Sequence, residues 1–95
     1  MTTARKKWTI LDTVQVAEAV IGNEGKWLSE REFENLMARV GCTRGSAETV
    51  VWRMQTVLGY GGQRPAQGIT ALDRAVAQLY LTNDPRLKNR PSVDS

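Results

Sequence analysis

The chain has 95 residues, 41% of them hydrophobic, which is enough for one modest core and predicts a single domain. Thirteen Lys and Arg residues against ten Asp and Glu residues give a net charge of +3, which permits nucleic-acid binding without requiring it. The sequence contains no histidine, the commonest metal ligand and proton shuttle, which argues against most hydrolase and metalloprotein classes.

The N-terminal segment, residues 1–8, is polar and basic and shows no hydrophobic periodicity. It carries Arg5, Lys6 and Lys7. We therefore expect a flexible arm. Basic arms of this kind lie across the backbone or in the minor groove in DNA-binding proteins, and we expect the same contact with DNA here.

A first helix is predicted over residues 10–21. Thr9 and Asp12 suit its start, where side-chain oxygens accept the unpaired amides, and the glycines at 22 and 25 favour a stop. Its expected buried stripe has helical spacing and comprises Ile10, Val14, Ala17 and Ile21, with Val16 and Val20 beside it.

The second helix has the clearest start signal in the sequence. Ser29 and Glu32 form a capping box, and Leu28 with Phe33 occupies the two positions of a hydrophobic staple, so the helix begins at Glu30. A left-handed stop residue belongs where Gly41 stands. The expected buried positions follow the i, i+3, i+4, i+7 pattern: Phe33, Leu36, Met37 and Val40.

A third helix is predicted after a short connection over residues 42–45, with Ser46 as its N-cap. Its β-branched residues lose rotamer freedom in a helix, so packing against helix two must supply much of its stability. The expected buried positions are Ala47, Val50, Val51, Met54, Val57 and Leu58.

Residues 59–68 contain four glycines and Pro65, which predicts a loop; a short, vestigial wing hairpin within it is left open. Thr70 then caps a fourth helix, which ends before Pro85 because the residue preceding proline is pushed out of the helical region. One face of this helix carries Leu72, Val76, Leu79 and Tyr80, and alanines at 71, 75 and 77 allow close approach.

These elements predict an all-α fold. We expect a compact four-helix domain over residues 9–84, followed by a disordered tail over residues 85–95.

Candidate catalytic groups have structural explanations. The sequence has no histidine to activate Cys42 and no second cysteine to pair with it, so we expect a small buried hydrophobe. Glu30 and Glu32 lie in the first turn of a helix, where negative charge complements the helix dipole. The glycine-rich run at 59–62 lacks the preceding strand and the following lysine of a phosphate-binding loop. We therefore expect no enzyme, no cofactor and no metal site.

A single cysteine suits a reducing cytoplasm, and the N-terminus lacks the apolar run of a secretory signal. No segment approaches the roughly 20 apolar residues that a membrane-spanning helix requires. We expect a cytoplasmic protein that is not integral to a membrane.

Helices two and three, joined by a short polar connection, are what a helix-turn-helix DNA reader is built from. If the aliphatic side of helix three is buried, its opposite face shows Thr49, Trp52, Arg53 and Thr56, with Gln55 beside them. The planar fork of Arg53 matches guanine in the major groove, and Gln55 can pair with adenine. The alternative for Arg53 is a solvated helix residue stacked on Trp52.

The start of helix three carries a second group of polar residues: Thr43, Arg44 and Ser46. Unpaired amides and the positive end of the helix dipole favour a phosphate at this place. Capping alone is the alternative for Thr43 and Ser46, and solubility alone is the alternative for the basic arm.

Residues 36–54, LMARVGCTRGSAETVVWRM, resemble the helix-turn-helix core of winged-helix regulators. Those proteins frequently have an alanine or glycine near the turn and a Thr-Val-x-x-Arg run on the reading helix, which Thr49 to Arg53 matches. The resemblance extends over residues 8–62 and implies a small transcriptional regulator that binds double-stranded DNA through helix three.

Two other interpretations stay open. Trp8, Trp27 and Trp52 are more tryptophans than a small core needs, and tryptophan is enriched at binding hot spots. They favour a protein-interaction module, such as a small phage-like regulator or inhibitor that docks on a larger enzyme. The alanine face of helix four also suits a symmetric homodimer contact, which is compatible with either function.

Overall fold

The computed structural model describes residues 7–60 and 64–88. These residues form five helices: α1 (Ile10–Gly22), α2 (Glu30–Val40), α3 (Arg44–Val57), α4 (Ala71–Asn83) and α5 (Pro85–Lys88). No strand occurs in this part of the chain, so the all-α prediction is confirmed. None of the helices over the described ranges is long and apolar enough to cross a membrane.

Reciprocal side-chain caps start three of the helices. The hydroxyl of Thr9 accepts the amide of Asp12 at 3.1 Å, and the Asp12 carboxylate accepts the amide of Thr9 at 3.2 Å. Ser29 with Glu32 makes the same pair of bonds at α2, and Thr70 with Asp73 makes it at α4. Each pair satisfies two amides that the helix cannot, so these starts follow from local sequence.

Helix α3 begins three residues earlier than its sequence predicts. The N-cap is Thr43, whose hydroxyl accepts the amide of Ser46 at 3.2 Å, whereas Ser46 was the expected cap. Thr43 and Ser46 can both cap, and the earlier position adds another helical turn. The connection between α2 and α3 therefore shrinks to Gly41, Cys42 and Thr43.

Helix α1 packs against α2, α3 and α4, and α3 also contacts α2 and α4. The predicted interior of α2 and α3 is largely confirmed, with Met37 and Val57 only half-buried. The largest fully buried apolar side chains come from all four long helices and the end of α3: Phe33, Met54, Leu58, Val16, Val20, Val51 and Val76.

The inward faces of α1 and α4 differ from the expected stripes. Ile10 and Leu79, both predicted to be buried, are 61% and 56% exposed. Val14 is half-buried, while Thr13 and Asp73 are buried. Apolar residues lie on several sides of both helices, so the spacing alone did not select the side that meets the other helices.

Both ends of the domain extend beyond the predicted limits. Trp8, which the sequence placed in the arm, is half-buried and packs against the core. Pro85 to Lys88 form α5, and Leu87 is only 6% exposed, so the tail does not begin at residue 85. Arg5, Lys6, the tip of the expected hairpin and residues 89–95 lie outside the described residues.

Candidate nucleic-acid interface

The junction of α2 and α3 is short and sharply turned. Gly41 adopts a left-handed conformation with φ of 75°, and its amide donates to the carbonyl of Met37 at 2.7 Å. A left-handed residue ends a helix cleanly, and glycine has the lowest steric cost there. Two residues later Thr43 caps α3, so two helices meet through a three-residue turn.

The first turns of α3 carry small side chains that face solvent. Thr43, Gly45 and Thr49 are exposed, and Ser46 is half-buried. The hydroxyls are engaged locally: Thr43 donates to the Ser46 hydroxyl at 3.1 Å, and Thr49 donates to the carbonyl of Gly45 at 3.0 Å. Hydroxyls also have acceptor capacity and rotate readily, so they remain able to contact a ligand.

Arg44 was expected to bind phosphate, but the structure directs it at carboxylates of its own chain. Its terminal nitrogens donate to both oxygens of Glu30 at 2.7 and 2.9 Å, and its Nε donates to Glu48 at 3.1 Å. The guanidinium carbon also lies 4.2 Å from the centre of the Phe33 ring. Arg44 therefore ties the start of α2 to the start of α3.

The electrostatics of this contact follow from its geometry. The hydrogen bond from Arg44, together with its positive charge, lowers the pKa of Glu30. The hydrogen bond to Glu30 raises the pKa of Arg44 despite partial burial. Near the start of α3, Arg44 thus offsets one of two carboxylate charges, and Arg44, Glu30 and Glu48 together carry a net charge of −1.

Arg53, the expected base-reading residue, is directed at α4. Its Nε lies 2.8 Å from a carboxylate oxygen of Asp73, and the two side chains are 17% and 3% exposed. That buried Nε makes no hydrogen bond, so the contact is an ion pair without an aligned N–H. The prediction that Arg53 faces outward is wrong, because position 53 lies on the side of α3 that α4 covers.

Trp52 and Thr56 are covered by the segment that follows α3. The indole of Trp52 donates to the carbonyl of Arg64 at 3.0 Å. The hydroxyl of Thr56 accepts the amide of Ala66 at 2.9 Å. Both residues were expected on an open face, and both are half-buried against residues 64–66 instead.

Gln55 is buried, with 9% exposure. Its side-chain amide donates to the carbonyl of Gly25 at 2.9 Å, which pins the α1–α2 connection to α3. Gly25 has φ of 78°, and a side chain there would overlap the ring of Tyr60. Gln55 therefore has a structural role, and the expected contact with adenine is not available to it.

The sequence patterns did not single out Arg39 and Arg64, two of the exposed arginines on elements next to α3. Arg39 is in the last turn of α2, two residues before Gly41, and Arg64 is in the segment bonded to Trp52. The buried stripe of α2 already implied an outward Arg39, since position 39 falls outside the i, i+3, i+4, i+7 pattern. No local pattern indicated Arg64, which lies beside α3 only through a contact 12 residues away in sequence.

The structure thus leaves Thr43, Ser46 and Thr49 of the expected site accessible at the start of α3, and Lys7 is exposed at the N-terminus. The other expected residues are paired with, or covered by, other parts of the chain: Arg44, Trp52, Arg53, Gln55 and Thr56. No cluster of acidic or cysteine side chains among residues 7–60 and 64–88 is arranged to hold a metal ion. Comparisons with protein-family models, with curated proteins and with solved structures gave no match.

Proposed function

We propose that this chain binds double-stranded DNA through α2 and α3 and regulates transcription. In the proposed complex, the first two turns of α3 lie in the major groove. The observation that carries the proposal is the three-residue connection Gly41 to Thr43, closed by a left-handed glycine and followed by exposed small side chains. Helix-turn-helix readers join their helices by such a turn and place the N-terminal residues of the second helix against base edges.

In this proposal Thr43, Ser46 and Thr49 contact bases or phosphates through their hydroxyls. Gly45 has no side chain and has open space where a Cβ would sit, so it allows the helix backbone to approach the groove closely. Arg39 and Arg64, on the elements before and after α3, supply the charge that neutralises phosphates. Arg53, Gln55, Trp52 and Thr56 have no part in the contact.

The first test places a negative charge on the proposed reading surface. Gly45→Glu should lower the affinity for a random-sequence 30-base-pair duplex at least about tenfold, because the new carboxylate would face phosphates and base edges. Gly22→Glu is the matched control: it too is a glycine with open space where a side chain would begin, and it lies at the end of α1. Fluorescence anisotropy at low salt measures the DNA affinity of both variants, and circular dichroism checks that both variants fold.

Salt dependence provides a second readout. Replacing Arg39 and Arg64 together by alanine should reduce the steepness of log affinity against log salt by about two, since each lost phosphate contact removes about 0.9 from the slope. Lys26→Ala, a change of an exposed cation in the α1–α2 connection, should leave the slope unchanged. Absence of duplex binding at about 50 mM salt, or wild-type binding by Gly45→Glu, contradicts the proposal.

A protein-interaction module is the second candidate function. It is favoured by Trp27, which is 42% exposed and whose ring centre lies 5.2 Å from that of Phe33. A tryptophan held by a buried aromatic and open to solvent is typical of a binding hot spot. Capture of a protein from nuclease-treated lysate by the wild type, lost in Trp27→Ala, together with no duplex binding, would favour this function.

A further inference from the structure

The side of α3 that faces solvent at its start is covered further along by the segment that follows the helix. Residues separated by three or four positions share one side of a helix, and here they are Gly45, Thr49, Trp52 and Thr56. The first two are exposed, whereas the last two are half-buried against residues 64–66. The 64–66 segment therefore lies about one helical turn beyond Thr49.

Among the residues that the structure describes, two hydrogen bonds join the 64–66 segment to α3. The indole of Trp52 donates to the carbonyl of Arg64 at 3.0 Å. The hydroxyl of Thr56 accepts the amide of Ala66 at 2.9 Å and donates to the carbonyl of Trp52 at 3.1 Å. Ala66 is only 7% exposed, so its amide would be costly to leave unpaired.

The chain on either side of the 64–66 segment contains glycine, whereas the segment itself contains a proline. Gly59 and Gly68 have φ of 83° and 72°. Glycine places few restrictions on the direction of the backbone, so these flanks do not by themselves fix where the segment lies. Pro65 restricts its own φ and also the backbone of Arg64 before it. The two bonds therefore hold a locally stiff piece of chain against α3.

We propose that Trp52 and Thr56 are positioning residues for DNA binding. They contact no DNA themselves, and they hold the 64–66 segment so that the exposed Arg64 lies beside the first turns of α3. An arginine on an unanchored loop loses backbone and side-chain freedom when it binds a phosphate, whereas an anchored loop has already lost the backbone part. This role rests on the proposed DNA binding, in which Arg64 neutralises a phosphate.

The first test separates the hydroxyl of Thr56 from the shape of its side chain. Thr56→Val keeps the size and removes the bond to Ala66, whereas Thr56→Ser keeps the hydroxyl and is the matched control. In Thr56→Val the amide of Ala66 should exchange with deuterated solvent about tenfold faster, because its hydrogen bond is lost. Thr56→Ser should exchange like the wild type. Nuclear magnetic resonance measures the exchange without DNA, and circular dichroism checks that both variants fold.

Duplex binding provides the second readout. Arg64→Ala should reduce the steepness of log affinity against log salt by about 0.9, the value of one phosphate contact. Thr56→Val should approach the same slope, and so should Trp52→Phe, which keeps an aromatic ring and lacks the indole N–H. Combining Thr56→Val with Arg64→Ala should reduce the slope no further than Arg64→Ala alone, since both changes remove one contact. Thr56→Ser should keep the wild-type slope.

The outcomes distinguish this role from the proposed function. Absence of duplex binding by the wild type overturns both. Duplex binding by the wild type, with an unchanged slope in Thr56→Val and Trp52→Phe, overturns the positioning role alone. A Thr56→Ser variant that loses as much slope as Thr56→Val overturns it as well, because the hydroxyl would then not be the cause. Unchanged exchange of the Ala66 amide in Thr56→Val has the same consequence.

Discussion

Arg53 is an example of a side chain whose type indicates one role and whose surroundings assign another. A guanidinium on a polar helix face is well suited to reading guanine. Here Asp73, almost fully buried at the start of α4, lies within 2.8 Å of it. A buried carboxylate needs a counter-charge, so Arg53 serves the packing of α4 against α3.

We expect Arg53→Met to lower the free energy of unfolding by about 2–4 kcal/mol, because Asp73 would remain buried without its counter-ion. Urea denaturation measures the change. Arg39→Met, at an exposed position of α2, should change stability by no more than about 0.5 kcal/mol.

The double variant Arg53→Met with Asp73→Leu should lose less stability than the two single changes added together, since the pair is removed as a unit. Wild-type stability in Arg53→Met, combined with weaker DNA binding, would show that the arginine reads DNA after all.

At the scale of elements, the α2–α3 junction depends on two glycines with different tasks. Gly41 has φ of 75°, a conformation that costs other residues energy, whereas Gly45 lies within α3 in helical conformation. Neither has an atom within 4 Å of the place where a Cβ would sit. Substitution at either position therefore measures backbone preference without a steric contribution.

Gly41→Ala should destabilise the protein by about 1 kcal/mol, because alanine resists the left-handed conformation that ends α2. Gly45→Ala should stabilise it by up to about 1 kcal/mol, because alanine is the better helix former. Thermal unfolding followed by circular dichroism compares the two. Equal shifts of the unfolding midpoint in the same direction would contradict the left-handed conformation of Gly41 and the helical conformation of Gly45.

At the scale of the whole molecule, a polar cluster joins the end of the domain to its beginning. Tyr80 of α4 and Arg86 of α5 both bond Glu18 of α1, across 62 and 68 residues of sequence. Burial and the hydrogen bond to Glu18 raise the pKa of Tyr80 to about 12. The folded protein therefore favours the neutral phenol.

Because the folded pKa lies above the ordinary tyrosine value of about 10, the stabilisation from Tyr80 is complete below pH 10 and is lost as the pH rises towards 12. The free energy of unfolding should fall over this interval more steeply in the wild type than in Tyr80→Phe. In a Tyr60→Phe background, the tyrosinate absorbance of the remaining tyrosine should have its midpoint near pH 12. A midpoint near pH 10 would contradict the burial of this hydroxyl.

The helix starts were predictable because capping is local. The two partners of each cap are three residues apart, so the bonds that start α1, α2 and α4 can be predicted from short stretches of sequence. The pairs are Thr9 with Asp12, Ser29 with Glu32, and Thr70 with Asp73. The same locality explains the error at α3, where two capping residues compete within one turn.

The side chains available to the proposed interface could not be predicted from neighbouring residues in the same way. Whether Trp52 and Arg53 face solvent depends on the carbonyl of Arg64 and the carboxylate of Asp73, which lie 12 and 20 residues further along the chain. Periodicity reports which side of α3 is apolar, but it does not report which polar side another segment will cover. Short-range hydrogen bonds thus specify where the helices begin, and long-range packing selects which of their polar side chains remain available to a partner.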